Sequence, residues 1–577
     1  MQAGNQGKHR KVAKDKEEAV AAPVHQGQRW VKTKGGERQV DVVIVGDGSD
    51  PEPNALRAHV ARLGGTVHAR FSLANAISAS LPAKALKTID LRSEDESISP
   101  NRTTGRTLSE LELVTGVTSA SVRTGNNNGA HSGLDGTGVG IAVLDSGVMA
   151  THLHMANASG VSRVTRQIHL VGKASNALAA SARAPGSAAR LAFEASIVPT
   201  GAAVPDAYGH GTHVAAVAAG PGFVSATNDS AGVAPGASII DVKVIGADGS
   251  GNMADVLAGI DWVIHNAKQY NIRVMNLSLA ASSTESWRSD PMARAVRSAA
   301  ATGITVVVAA GNYGKIAGAI TFGTVASPAH DPSVITVGSS HMQNNTLRSG
   351  DTINGFSSRG PTRGAMVEVH VTRNLDNLIK PDLVAPGNLI VSAAATSVAS
   401  PAGVWNNLPA SYPELLEGLS AGQTYGRTRM RLSGTSVAAS VVSGAIALLP
   451  QANPELTGPM LKAILQYTAQ PLPNASLVEQ GAGMLNIDGA VRLAQSFKTD
   501  AASKLAASAW PIGAKISAGI LPTPSSTING QTFNWSRIVT VGGRQIANGD
   551  QLFSNFQPVY DPRLTRGGST VVRRMVT

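Results

Sequence analysis

The sequence predicts an α/β protein: a doubly wound, mostly parallel sheet flanked by helices, preceded by a small α+β module and followed by a β-rich extension. Three observations predict it. Short continuous apolar runs alternate with helical patterns from Gly138 to Tyr467, as strands buried on both faces do. Hydrophobic residues make up 42% of the 577 positions, enough for a large core and too many for a disordered chain. Charged residues are only 15%, with 61 Gly, against about 25% charged in ordinary soluble proteins. That balance suits tight turns and close packing, not coiled coils. Cysteine is absent, which excludes a disulfide framework, a thiolate metal site and a Cys nucleophile.

The elements follow in order. Residues 1–38 hold nine Lys/Arg against four Asp/Glu and read as a disordered basic segment. Residues 500–577 hold eight against three, so the net charge of +11 belongs to the ends. No basic stripe with stacking aromatics crosses the middle, and nucleic acid is not an expected partner. No run reaches the ~18–20 consecutive apolar residues of a spanning helix, so no membrane partner is expected. Met1–Lys16 is polar, Glu17 and Glu18 precede the short run Ala19–Val24, and no signal peptide is visible.

Residues 39–104 form the small module. Val40–Val45 is a strand, and Ala55–Leu63 is a helix with Leu56, Val60 and Leu63 on one face. Gly64–Gly65 stops that helix. Thr66–Phe71 and Ile77–Leu81 follow as strands, then a short helical stretch, Ala83–Ile89. Gly116–Gly136 reads as a linker.

Within 105–497 the candidate strands are Val139–Leu144, Ser238–Val244, Arg273–Leu277, Thr305–Ala309 and Val334–Val337. The candidate helices are Thr212–Ala219, Met253–Lys268, Pro291–Thr302, Ser436–Leu449 and Gly458–Tyr467. A site is expected at the carboxyl ends of such strands. Residues 152–205 and 363–430 lack periodicity and read as surface insertions. Residues 498–577 place Trp510, Phe533, Trp535, Phe553, Phe556 and Tyr560 among β-type runs such as Arg537–Val541, an appendage expected to pack back on the main domain.

Four segments carry chemistry. In Ala142–Gly147 an apolar strand ends on Asp145 at a Gly turn, which also suits a turn or capping Asp. In Asp206–Ala215, His210 lies between two glycines at the start of an Ala/Val helix. His210 and His213 could pair on a metal, but no Glu stands between them as in HExxH, and metal ligands stay unassigned. In Leu432–Ala439 a small-residue turn delivers Ser436 to a helix start, where unpaired N–H groups can stabilise an oxyanion. Thr435 or Ser436 is equally suited to be a plain N-cap. In Val306–Gly314, Asn312 follows a buried strand; its amide can donate to an oxyanion or serve turn geometry.

In that chain order, Asp145, His210, Asn312 and Ser436 resemble the subtilases, the subtilisin-like serine endopeptidases, whose triad runs Asp…His…Ser. Gly355–Pro361, Lys380–Gly387 and Ser327-Pro328-Ala329 are similar to further family signatures. The resemblance spans 105–497. It implies Ser436 as nucleophile, His210 as general base and then acid, and Asp145 orienting His210. Asn312 and the Ser436 N–H are implied as oxyanion donors. Ser278, Leu279 and Ala280 resemble the strand that pairs with substrate backbone. Together with Ala309, Ala310 and Gly311 they are implied to wall the pocket for the residue before the scissile bond. Those walls are small and uncharged, so an apolar side chain is expected there.

The module at 39–104 resembles the family's inhibitory propeptides, which implies a self-processing zymogen cut within the exposed stretch Ser119–Gly136. The implied partners are polypeptide substrates and the chain's own propeptide. No cofactor is required. Calcium often stabilises the family, but no acidic loop here shows a dense ligand pattern. Family resemblance implies secretion. Two positions depart from the family pattern: Val437 where Met is usual, and Ser440 where Pro is usual. Ser440 restores a backbone donor, which leaves two further readings, a transpeptidase or ligase using the same acyl-enzyme, and an inactive binding protein of this fold.

Overall fold

The apolar runs become strands in a computed structural model that describes residues 31–34, 37–46, 54–71, 76–85, 88, 95–100, 109–126, 130–173, 187–199, 206–221, 231–343, 345–367, 373–396, 406–417, 426–499 and 513–560. The chain divides into two compact units, Met1–Thr107 and Leu108–Thr577. Trp510 and the expected tail up to residue 30 lie outside the described residues.

In the first unit, β1 (Val31–Lys34), β2 (Glu37–Gly46), β3 (Thr66–Phe71), β4 (Ala76–Pro82) and β5 (Asp95–Pro100) form one sheet. The order is β1-β2-β4-β3, with β5 also on β2 and every pairing antiparallel. Along β2 the core residues Val40, Val42 and Ile44 alternate, the period of a half-buried strand. Helix α1 (Asn54–Arg62) buries Leu56 and Val60, one turn apart, against them. Gly65 has to be glycine, because a Cβ there would stand 2.6 Å from Leu81 and 2.8 Å from the Ser80 carbonyl. Three expectations change. β1 begins inside the segment read as disordered, because Val31 to Lys34 can pair in register with Val40 to Glu37. Of the helix expected at Ala83–Ile89, Ala83–Ala85 is a 3₁₀ turn, Thr88 is helical, and the other residues lie outside the described ones. β5 carries no strong apolar run, so periodicity does not announce it.

The second unit opens with α2 (Glu110–Thr115), capped by the Ser109 side chain and ended by Gly116 in the left-handed region. A hairpin follows, β6 (Arg123–Asn126) with β7 (Ala130–Gly133). The expected linker is therefore built structure at this point. Arg123 is fully buried, pairs with buried Glu112 at 3.1 Å and donates to the Val233 carbonyl.

The main sheet uses β8 (Gly140–Asp145), β9 (Val164–His169), β10 (Ser238–Lys243), β11 (Ile272–Leu277) and β12 (Thr305–Ala309). Between β8 and β10 lie α3 (Ala188–Ser196) and α4 (His210–Ala219), and α5 (Met253–Asn266) and α6 (Pro291–Ala301) flank β11. After the small ribbon β13–β14 (Lys315–Ile316, Ala319–Ile320) come β15 (Ile335–His341) and β16 (Thr352–Ile353). The ribbon β17–β18 (Ala365–Val367, Arg373–Leu375) precedes β19 (Leu383–Pro386). The sheet order is β16-β15-β12-β11-β8-β10-β9, with β19 parallel to β15. Only β16 is antiparallel. The expected strands and helices are present to within a few residues at each end.

Two sheet strands fall in the segments read as surface insertions. β9 is mostly polar (Val-Thr-Arg-Gln-Ile-His), with Ile168 alone fully buried, and sits on the sheet edge, so it lacks the apolar run of a central strand. β19 has four residues and is fixed from outside itself: Asp382 accepts from the Thr336 N–H at 2.8 Å and from buried Lys380 at 2.7 Å.

β20 (Ile390–Ala393) and β21 (Arg429–Leu432) form an antiparallel ribbon that brackets α7 (Asn407–Ser411). β21 leads directly to α8 (Thr435–Ala452), the central helix. Its length and mean hydropathy of 1.4 would suit a membrane span, but 83% of it is buried among the protein's own strands and helices. It is a core helix, apolar on all sides for that reason. α9 (Gly458–Thr468), α10 (Leu477–Gln480) and α11 (Ile487–Gln495) complete the helical layer. The hairpins β22–β23 (Ser525–Ile528, Gln531–Asn534) and β24–β25 (Ile538–Val541, Gln545–Asn548) follow. As expected of an appendage, this region packs back: Phe553, Phe556 and Tyr560 are buried in one core with Phe497, Tyr467 and Trp535.

Candidate active site

Asp145 is the last residue of β8 and has no exposed surface. The strand's apolar residues bury it and the Gly turn releases the chain. Its Oδ1 accepts from the Ser146 N–H at 2.7 Å. His210 opens α4, and its Nδ1 lies 2.9 and 3.0 Å from the two Asp145 oxygens. Gly211 permits that approach, since a Cβ there would stand 2.2 Å from the Gly147 carbonyl. Burial by itself disfavours a charged imidazole. The charge and hydrogen bond of Asp145, and the charge of Asp206, outweigh burial and hold the His210 pKa above its ordinary 6.5.

Ser146 and Asp206 belong to the same network, and sequence reasoning does not single them out. Asp206 accepts from the Gly209 N–H at 2.7 Å and from the Thr212 N–H and hydroxyl at 2.8 and 2.6 Å, capping α4. Ser146 donates to Asp206 at 2.8 Å and accepts from the Gly211 N–H at 2.9 Å. The strand end carrying Asp145 and the helix start carrying His210 are thus bolted together twice. The only local signal is an Asp four residues ahead of the His.

Ser436 lies in the first turn of α8, with Oγ 3.0 Å from His210 Nε2. Asn312 follows β12, and its Oδ1 accepts from both the N–H and the hydroxyl of Thr435, at 2.9 and 3.0 Å. Thr435 Oγ1 in turn accepts from the Gly311 N–H at 3.1 Å. With Oδ1 engaged, Nδ2 is left to donate. A Cβ on Gly434 would stand 2.9 Å from Ser436 Oγ and 3.5 Å from Asn312 Nδ2, so hydroxyl and amide border one small space. Thr435, in sequence only a capping candidate, is what aims the amide.

Asp145, His210, Asn312 and Ser436 line a cleft of about 650 Å³, together with Ser278, Leu279, Ala280, Ala309 and Gly311. Ala310 does not line it. It is fully buried, its N–H donating to Val337 and its carbonyl accepting from Ala326, because the side chain after a strand end alternates to the other face. Ser278 also supports Ser436, which its place in the sequence does not suggest. Its hydroxyl donates to the Ser436 carbonyl at 2.8 Å, and Ser440 donates to the same oxygen at 3.0 Å. Asn276 donates to Ser278 at 2.9 Å and accepts from Ser443 at 2.9 Å, so a buried polar network holds the nucleophile's turn. Among the described residues, Asp145 is the one carboxylate lining the cleft. Among the described residues no group of three or more His, Asp or Glu could hold a metal ion.

The arrangement can move a proton from a hydroxyl to an imidazole while an amide and a helix-start N–H face the developing charge. The chain is similar to known proteins. The model of the subtilase family matches residues 136–486. Serine protease AprX of Bacillus subtilis (strain 168) is 34% identical over 295 residues, 50% of this chain and 58% of its own length. Subtilisin Savinase of Lederbergia lenta is 30% identical over 367 residues, 63% of this chain and 94% of its own. A solved structure of a cold adapted subtilisin-like serine proteinase aligns with TM-score 0.39 and 24% identity, over 61% of this chain and 90% of its own.

Proposed function

This chain belongs to the subtilase family and is a serine-type endopeptidase; on that premise we propose how its residues divide the work. Ser436 Oγ attacks the scissile carbonyl carbon as His210 Nε2 takes its proton. The oxyanion accepts from the Ser436 N–H and Asn312 Nδ2. As the C–N bond breaks, His210 returns the proton to the leaving amine, and an acyl ester remains on Ser436. Water, deprotonated by His210, then releases the acid. Asp145 keeps the imidazole in the tautomer that faces Ser436. No cofactor enters, because side chains supply every proton and charge. The observation that carries this reading is the unbroken path from Asp145 through His210 to Ser436, at 2.9 and 3.0 Å. A fluorophosphonate should label the processed wild type once, at Ser436, and leave Ser436→Ala unlabelled. Labelling elsewhere would remove the assignment.

The residue ahead of the scissile bond is apolar in this reading. Among the described residues, the one carboxylate lining the cleft already serves His210, and none of them is left to take Lys or Arg. A peptide library cleaved mainly after Lys or Arg would contradict it. The first unit acts as an inhibitory, self-processed propeptide, in keeping with its separate compact sheet ahead of the catalytic unit. Processing falls ahead of Ser109 and not within Ser119–Gly136, where Val122 and Arg123 are buried and the Glu112 pair is closed. Mass spectrometry of the mature N-terminus tests that position. The substrates are polypeptides, neither nucleic acid nor membrane takes part, and the family relationship favours action outside the cell.

A further inference from the structure

The cleft has one wall that the catalytic residues do not explain. It comes from α7, in the middle of the stretch between β20 and β21 that the sequence presents as a structureless insertion. Instead of lying on its own ribbon, this turn is fixed to the two loops beside His210. The Asn407 N–H donates to the Ala207 carbonyl at 2.9 Å and the Leu408 N–H to the Tyr208 carbonyl at 2.8 Å. The Asn406 side chain donates to the Asp206 carbonyl, and that of Asn407 to the Ala247 carbonyl at 2.7 Å. Pro409 sits over Gly209, 3.3 Å from where a Cβ would be. Four hydrogen bonds therefore join the insertion to the loop ahead of His210 and to the loop after β10. They leave the half-buried Leu408 side chain lining the cleft with Tyr208, His210 and Ile245.

The geometry points to Leu408 as a specificity-determining residue for the peptidase, presented by an inserted wall. The inference rests on the reading of the cleft as one that takes an extended polypeptide. Side chains along an extended chain alternate. If the residue before the scissile bond enters the pocket walled by Ser278–Ala280 and Ala309, the residue before that one turns the other way, toward His210, Ile245, Tyr208 and Leu408. That wall is apolar, and its charged neighbour Asp145 is covered by His210. It selects an aliphatic side chain there and disfavours a carboxylate, which Leu408 and Ile245 would strip of water. A contact of this size separates substrates by about ten- to two-hundredfold.

The test uses the enzyme processed from the full chain and four peptide p-nitroanilides with one fixed apolar residue at the scissile bond and Gly, Ala, Leu or Asp immediately before it. The wild type is expected to favour Leu over Gly at least tenfold in kcat/KM, and to be poorest with Asp. Leu408→Ala is expected to reduce the Leu/Gly ratio to about threefold or less. Leu408→Phe, which keeps the wall but fills it, is expected to move the preference toward Ala. Melting temperatures of both variants check folding, and if one is unfolded the other still decides. An unchanged Leu/Gly ratio in a folded variant, or an equal fall for all four peptides, would overturn the inference. Fluorophosphonate labelling of the wild type separates the two levels: labelled Ser436 with an unaltered ratio defeats only the wall, whereas no labelling defeats the peptidase reading and the wall with it.

Discussion

His210 and His213 stand one turn apart on α4 and belong to two different regions. His210 faces the cleft, with a carboxylate on Nδ1 and a hydroxyl on Nε2. His213 is fully buried with Nε2 on the Ile390 carbonyl. Nearby, His152 and His154 are likewise buried, their rings stacked with centroids 5.4 Å apart. Burial disfavours the charged form in both regions. Only His210 has carboxylates to reverse it, and its pKa rises. Burial holds His152 down at about 4 and His213 at about 3, the latter with help from His210's charge. A histidine's partner, more than its depth, makes it a base.

The sharpest way to break the comparison is to remove the partner. Asp145→Asn should lower kcat by about 10⁴ and move the acidic limb of kcat/KM to lower pH. A loss under tenfold in steady-state kinetics would show that the carboxylate is not what distinguishes His210. Next in size, Gly211→Ala pushes a methyl into the Gly147 carbonyl and forces the His210 helix start away from Asp145. About a hundredfold loss of activity is expected, with a lowered melting temperature. Asn312→Ala should cost about 10²–10³ in kcat, the size known for the corresponding loss in subtilisin itself, without moving the acidic limb.

The buried histidines act on stability instead. Their folded pKa values lie below the unfolded 6.5, so the unfolded chain binds more protons as pH falls. Their stabilising effect is complete above pH 6.5 and is lost as pH falls through the folded values, about 4 for His152 and about 3 for His213. For His152 alone that is about 3 kcal/mol. Urea midpoints measured from pH 7 to 4 should fall steeply, and less steeply in His152→Gln. The smallest effect belongs to Asp206→Asn: kcat stays within about tenfold, and the acidic limb moves down by less than in Asp145→Asn.

The four positions proposed as catalytic are legible because each announces itself locally, as a carboxylate ending an apolar run, a His or Ser opening a small-residue helix, or an Asn just past a buried strand. Their supports are not. Ser146 meets Asp206 sixty residues away, and Thr435 aims Asn312 across more than a hundred; no spacing rule reaches so far. β9 and β19 are hidden for a related reason. One is a mostly polar edge strand, and the other is four residues held by Asp382 and Lys380. The insertion around Leu408 has no period to read, because its place is set by backbone bonds to residues 207 and 208.

The most direct test is the pH dependence of the rate at which a fluorophosphonate labels Ser436 in the processed chain. The reaction needs neutral His210. The rate should rise through a single midpoint above 6.5, and His210→Ala should abolish it. A midpoint at or below 6.5, or labelling that persists without His210, would contradict the claim that Asp145 makes His210 the base for Ser436.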